Sequence, residues 1–139
     1  MSQLNIHYPK NQFNYEIIEN SFQGFKGGPC PGYRAPDARV NSSSLFILLA
    51  QKPINILYFN AKKKQPDNVI EKINVYVENY KDWFKIHSFV LSPVNKILFK
   101  RYGVISSAIY VIRPDGYVGF RINSGNYLLL KKYLKNFFE

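Results

Sequence analysis

The sequence predicts a single α/β domain built on a central mixed sheet, and three observations carry that expectation. Strand-like apolar runs alternate with amphipathic segments between Ile54 and Tyr102. Two further apolar runs are joined by an Asp-Gly turn in the hairpin Ala108–Arg121. The chain has 139 residues, 46% apolar and 17% aromatic, which suits one core of ordinary size. Its 11 Tyr and 11 Phe argue against disorder, because disordered chains lack the apolar area that offsets ordering entropy.

The elements follow in order. Residues 1–23 form an N-terminal extension, with a possible edge strand in Tyr15–Phe22. Gly24, Gly27, Gly28, Pro29, Pro31, Gly32 and Pro36 then crowd together and mark an ordered loop or a linker. A short helix is expected over Ser44–Gln51, capped by Ser43 or Ser44 and stopped by Pro53. Ile54–Phe59 is apolar on both faces and reads as a buried strand. Pro66 suits a helix N1 position, and Val69, Ile73, Val77 and Tyr80 recur at helical spacing, so Pro66–Asp82 is an amphipathic helix. Trp83–Leu91 is a second strand. Ser92-Pro93 opens a second helix that ends near Tyr102-Gly103. Ser107–Ile112 and Tyr117–Ile122 are hairpin strands, and Ser124 caps a last helix, Gly125–Phe138. The order from Ile54 is β-α-β-α-β-β-α. Strand-helix-strand implies a parallel pair with a right-handed crossover, and the hairpin adds antiparallel pairing. That order is the thioredoxin arrangement, here over residues 24–139.

Composition limits the function classes. No apolar run reaches membrane-spanning length, the longest being Leu45–Ala50, and MSQLNIHYPK has no apolar signal-peptide core. One cysteine, Cys30, leaves no internal disulfide, so a cytoplasmic address is expected. The net charge of +10 is spread along the chain, so a solvated basic surface is expected ahead of a nucleic-acid footprint.

Candidate chemistry is sparse. A dithiol would sit just after Ile54–Phe59, where a helix N-terminus lowers a thiol pKa. That place reads Asn60-Ala61-Lys62-Lys63-Lys64-Gln65-Pro66, without cysteine. Lys62–Lys64 suit a solvated loop better than an anion site at that helix start. Cys30, between Pro29 and Pro31, is either a reactive thiol on a rigid loop or an incidental small residue. With no resolving thiol or base in view, the second is expected. His7 and His87 lack the partners a metal site or catalytic triad needs. In Tyr33-Arg34-Ala35-Pro36-Asp37, Arg34 and Asp37 either pair locally or face a partner. Arg113-Pro114-Asp115-Gly116 is a turn, with Arg113 and Arg121 placed to pair with nearby acids. No dinucleotide fingerprint occurs, since the glycines of 24–32 lack its spacing.

Two segments together carry a resemblance. Gly32-Tyr33-Arg34-Ala35-Pro36-Asp37 is similar to a G-x-R-x-P-D/H entry motif. Tyr102-Gly103, followed by Ala108–Arg121 with its Arg113-Pro114-Asp115-Gly116 core, is similar to a Y-G … L-V-R-P-D-G-x-V-x-x-R ending. Both belong to the C-terminal thioredoxin-like domain of FAD-dependent aromatic-ring hydroxylases, the phenol and polyketide hydroxylase flavoproteins. The resemblance spans residues 24–138. It implies a non-catalytic structural domain: FAD, NAD(P)H and the aromatic substrate belong to a large N-terminal region, and none binds this chain. It implies as partner either a flavoprotein hydroxylase region or a second copy of the chain, with no membrane or nucleic acid. Tyr33, Arg34, Pro36, Asp37, Arg113, Pro114, Asp115, Gly116 and Arg121 are then family-motif or interface residues. The chain departs from thioredoxins at Ile105-Ser106-Ser107-Ala108, where their cis-proline is missing. The alternatives are a single-cysteine redox or peroxide-reactive protein using Cys30, and a basic binding module.

Overall fold

The computed structural model describes residues 15–17, 25–40, 43–61 and 68–135. Its centre is β4 (Ile54–Asn60), whose first six residues are buried on both faces, as a strand flanked on both sides must be. β4 runs parallel to β5 (Phe84–Val90), connected through α2 (Val69–Val77), and antiparallel to β6 (Ser107–Ile112). β6 turns through the hairpin into β7 (Val118–Ile122), and β1 (Tyr15–Ile17) lies parallel to β7 on the outer edge. The sheet order is β1-β7-β6-β4-β5. β1 thus joins the sheet of the domain that follows it.

Strand alternation sorts the core into two layers. Leu57 and Phe59 of β4, with Ala108, Tyr110 and Ile112 of β6, face one side. There they meet the loop of residues 25–38, α1 (Leu45–Leu49) and α3 (Lys96–Arg101). Ile54, Ile56 and Tyr58, with Ile109, Val111, Phe120 and Ile122, face the other side and pack on α2 and α4 (Tyr127–Leu134). α2 contributes Ile73 and Val77, and α4 contributes Leu130, Tyr133 and Leu134. Each large side chain so buried is worth about 1.5–3 kcal/mol. A two-residue ladder of β2 (Arg39–Val40) and β3 (Ser43–Ser44) leads into α1.

Several boundaries differ from the sequence expectation. The helix expected from Pro66 begins at Val69 and gives way to a 3-10 turn at Glu78–Tyr80 rather than running to Asp82. Pro66 and Lys62–Lys64 lie outside the described residues. Ser92-Pro93 opens a 3-10 turn, Pro93–Asn95, before α3 begins at Lys96. There the Asn95 side chain accepts from Ser92 N–H at 2.8 Å and donates to Val90 C=O at 2.8 Å. Neither serine proposed as the α1 cap does that work. Ser43 and Ser44 form β3, and the carboxylate of Asp37, nine residues upstream, accepts from Phe46 N–H at 3.0 Å. α4 is capped by Asn126, which accepts from Leu128 N–H at 3.1 Å, while Ser124 Oγ accepts from Asn126 N–H. In both cases a carboxylate or amide oxygen that can reach the orphan N–H displaces the serine.

Candidate functional site

The residues singled out by sequence converge where the loop 25–38 lies on the β6–β7 hairpin. The hairpin tip is built first. Gly116 N–H donates to Arg113 C=O at 2.9 Å and Arg113 N–H to Tyr117 C=O at 2.8 Å. Gly116 sits at φ +85°, a conformation that glycine adopts without strain. The buried Arg113 forks onto Asp115, with Nη2 to Oδ2 at 2.9 Å and Nε to Oδ1 at 3.2 Å. Asp115 Oδ1 also accepts from Tyr117 N–H at 3.1 Å. Arg-Pro-Asp-Gly is therefore a turn whose acid fixes both a cation and the returning backbone. Pro114 stands exposed at its apex.

The entry loop then docks on that tip. Gly32 N–H donates to Val118 C=O at 2.7 Å, Val118 N–H to Tyr33 C=O at 2.8 Å, and Ala35 N–H to Gly116 C=O at 2.9 Å. Arg34 bridges Tyr117 in antiparallel fashion, and its guanidinium lies 5.8 Å from the Tyr117 ring centroid. Arg34 and Asp37 do not pair with each other. Asp37 turns the other way, accepting from Ala38 N–H at 2.8 Å and capping α1. Arg101 Nη1 donates to Asp37 C=O at 2.7 Å, and Tyr102 Oη donates to Pro36 C=O at 2.7 Å. The loop carbonyls are thus held by the end of α3.

Arg121 is the hub beneath the loop, at 5% exposure. Nε donates to Glu16 Oε1 at 2.5 Å, Nη1 to Gly27 C=O at 3.1 Å and to Tyr110 Oη at 3.4 Å. Its guanidinium stands 4.0 Å from the centroid of the Phe25 ring. Burial opposes the charge, but the bonds to Glu16 and Tyr110 outweigh it and raise the Arg121 pKa above its ordinary value. Tyr110 Oη in turn donates to Tyr102 C=O, so a chain of bonds runs from Arg121 through Tyr110 and Tyr102 to Pro36. Burial pushes both phenols well above the ordinary tyrosine range. The rings pack edge to face, 5.0 Å apart at 88°. Gly28 and Gly103 meet backbone to backbone at φ +78° and +66°, and a Cβ on either would collide with the other segment. Lys26 N–H donates to Gly103 C=O at 2.8 Å across that contact.

The hydrogen-bonding groups of Asp37, Arg113, Asp115 and Arg121 are engaged inside the domain. Tyr33, 67% exposed, Arg34 and Pro114 face outward, as does the Asp115 side chain beside its partners. Cys30 is exposed at the rim, its Sγ 3.7 Å from Arg121 Nη2. Of the segment Asn60–Pro66, Asn60 and Ala61 are described, and Ala61 N–H donates to Ser106 C=O at 2.6 Å. His7 lies outside the described residues. Among the described residues no three His, Cys, Asp or Glu side chains gather as metal ligands. None of the described helices is long and apolar enough to cross a membrane.

Sequence reasoning missed a second polar pair. Asn55 Nδ2 donates to the carbonyls of Leu49 at 2.9 Å and Lys52 at 3.2 Å, which turns its Oδ1 toward His87 Nε2 at 2.8 Å. Because that oxygen only accepts, Nε2 carries the hydrogen. Burial, with Lys85 nearby, lowers the His87 pKa to about 4, so the ring is neutral at neutral pH. The signal was an Asn inside an otherwise apolar strand, since a buried amide requires partners.

No protein-family model matches the sequence, and no curated protein matches it. Solved structures do. Aklavinone-11 hydroxylase, in a ternary complex with FAD and aklavinone, superposes over 80% of the chain at a TM-score of 0.58 and 15% identity. RebC soaked with K252c superposes over 88% at 0.52 and 18% identity. The chain spans 22% of the length of each. It shares its fold with a segment of these enzymes.

Proposed function

We propose that this chain is a non-catalytic, thioredoxin-like accessory domain of an FAD-dependent aromatic-ring hydroxylase system. The observation that carries the reading is the likeness of 80% of the chain to a 22% segment of aklavinone-11 hydroxylase, seen in complex with FAD and aklavinone. The interior of the motif site supports it. Arg113 and Asp115 pair within the hairpin tip, Asp37 caps α1, and Arg121 holds the Gly27 carbonyl of the loop. The motif residues are therefore spent on assembling a loop-on-hairpin fold. The strand-helix order from β4 to α4, with β5-β4-β6-β7 as neighbours, supports the thioredoxin-like assignment. The flavin, the nicotinamide and the aromatic substrate then belong to a separate catalytic region, and this chain contributes packing or assembly. Tyr33, Arg34 and Pro114 are exposed motif residues available to that contact.

The test is co-purification of the tagged chain at native expression level. A flavin-containing hydroxylase should be recovered with it, and the isolated chain should leave the visible spectrum of added FAD unchanged. Tight flavin binding or hydroxylation by the isolated chain contradicts the accessory role.

A second reading rests on Cys30, whose exposed sulfur lies 3.7 Å from Arg121 Nη2. It predicts peroxide consumption that is lost in Cys30→Ser. Equal consumption by the variant removes it.

A further inference from the structure

β5 forms one edge of the five-stranded sheet, and its backbone groups alternate in direction. Ile54 N–H donates to Trp83 C=O at 2.9 Å, and Leu91 N–H donates to Asn60 C=O at 3.0 Å. With the parallel register running from Ile54↔Phe84 to Asn60↔Val90, the odd-numbered backbone groups of β5 face β4. The even-numbered groups face outward. They include N–H and C=O of Ile86 and of Ser88, and N–H of Val90. The carbonyl of Val90 is taken by Asn95 Nδ2. Among the described residues no strand lies beyond this edge.

Beside the edge runs a groove of about 530 Å³ between β5 and α2. Ile70 and Ile86 give it an apolar floor, and Lys52, Lys81 and Lys85 stand along it with Glu78. Cations on an edge strand ordinarily discourage pairing with another copy. Here that effect is reinforced by the chain's net charge of +10, which a second copy would match in sign. An anionic strand meets the opposite situation. It finds backbone groups to pair with, an apolar groove for alternate side chains, and lysines for its carboxylates.

We propose that the outer edge of β5 accepts an extended acidic segment of a partner protein as a sixth strand, with alternate apolar side chains in the Ile70–Ile86 groove and carboxylates against Lys81 and Lys85. The proposal does not depend on the hydroxylase reading, and its test uses the isolated full-length chain.

The probe is a short capped peptide alternating Glu and Val, with a Lys-and-Val peptide as its counterpart. Binding is read by fluorescence anisotropy and located by backbone amide NMR shifts. The acidic peptide should bind, shift the amides of Ile86, Ser88 and Val90, and weaken with salt, while the lysine peptide should not bind. Ser88→Pro removes one outward N–H and places a ring on the edge, and should weaken binding at least about tenfold. Should that variant misfold, the surface exchange Lys81→Glu with Lys85→Glu serves instead and should also cost about tenfold while admitting the lysine peptide. Failure of the acidic peptide to bind overturns the proposal. So do undiminished affinity in a folded variant and shifts confined to another surface.

Discussion

The two faces of the sheet are covered by different means. On one side α2 and α4 lie across the strands and bury a layer that is almost wholly apolar. Helices satisfy their own backbone, so this cover requires little more than side chains at helical spacing. On the other side much of the cover is the loop 25–38, whose backbone groups have no ladder of their own. That side accordingly carries the Arg121–Tyr110–Tyr102 chain, the Asp37 cap, the Gly28–Gly103 contact and the Asn55–His87 pair. A motif-rich segment therefore does not by itself indicate catalysis. Here the unusual residues gather where irregular backbone had to be held.

That contrast is breakable, and the largest effect should come from the hub. Arg121→Ala strands the Glu16 carboxylate, the Gly27 carbonyl and the Tyr110 hydroxyl, and should cost about 3–5 kcal/mol in urea unfolding. A loss under 1 kcal/mol would show that the loop is held by something else.

Acid should act on the same face. The His87 pKa is about 4 when folded, below the value of about 6.5 expected when unfolded, so the unfolded chain takes up the proton first. The stability this contributes is intact above pH about 6.5 and drains away as pH falls toward 4, to a total of about 2–3 kcal/mol. His87→Gln, which keeps a donor for Asn55, should flatten that part of the stability–pH curve. An unchanged slope in the variant would assign the acid sensitivity to other groups.

Tyr102→Phe should cost about 1–2 kcal/mol, because it deprives the Pro36 carbonyl of its donor while leaving the ring packing intact. Asp37→Ala should cost about 1 kcal/mol through the α1 cap, measurable by thermal unfolding, whereas Ser44→Ala should leave α1 unaffected. The smallest effect belongs to the helical face. Val75→Ala, at a position 73% exposed on α2, should change stability by less than about 0.5 kcal/mol.

The two faces also differed in how far the sequence could be read. β4, the Asp-Gly hairpin and the apolar stripe of α2 were legible, because Ile54–Phe59 and Val69-Ile73-Val77 carry their own periodicity. The two motifs carry a family resemblance in sequence, but their physical link is hidden there. The Gly32–Asp37 loop and the hairpin tip are more than 70 residues apart, roughly, and only folding shows that they pair. The α1 cap failed for the same reason. Ser44 is next to α1 in sequence, whereas Asp37 reaches it through a turn of chain that local rules do not see. Glu16, the acid that meets Arg121, lies in β1, within the edge strand expected over Tyr15–Phe22, but the strand's sequence does not show which cation its acid will meet.

Hydrogen exchange on Arg121→Met, compared with the unaltered chain, tests the central claim most directly. If the motif residues exist to lock the loop onto the hairpin, protection should fall at the amides of Lys26, Gly32, Ala35 and Val118 and persist in β4 and α2. Unchanged protection in the loop, or an equal loss throughout the sheet, would contradict the account.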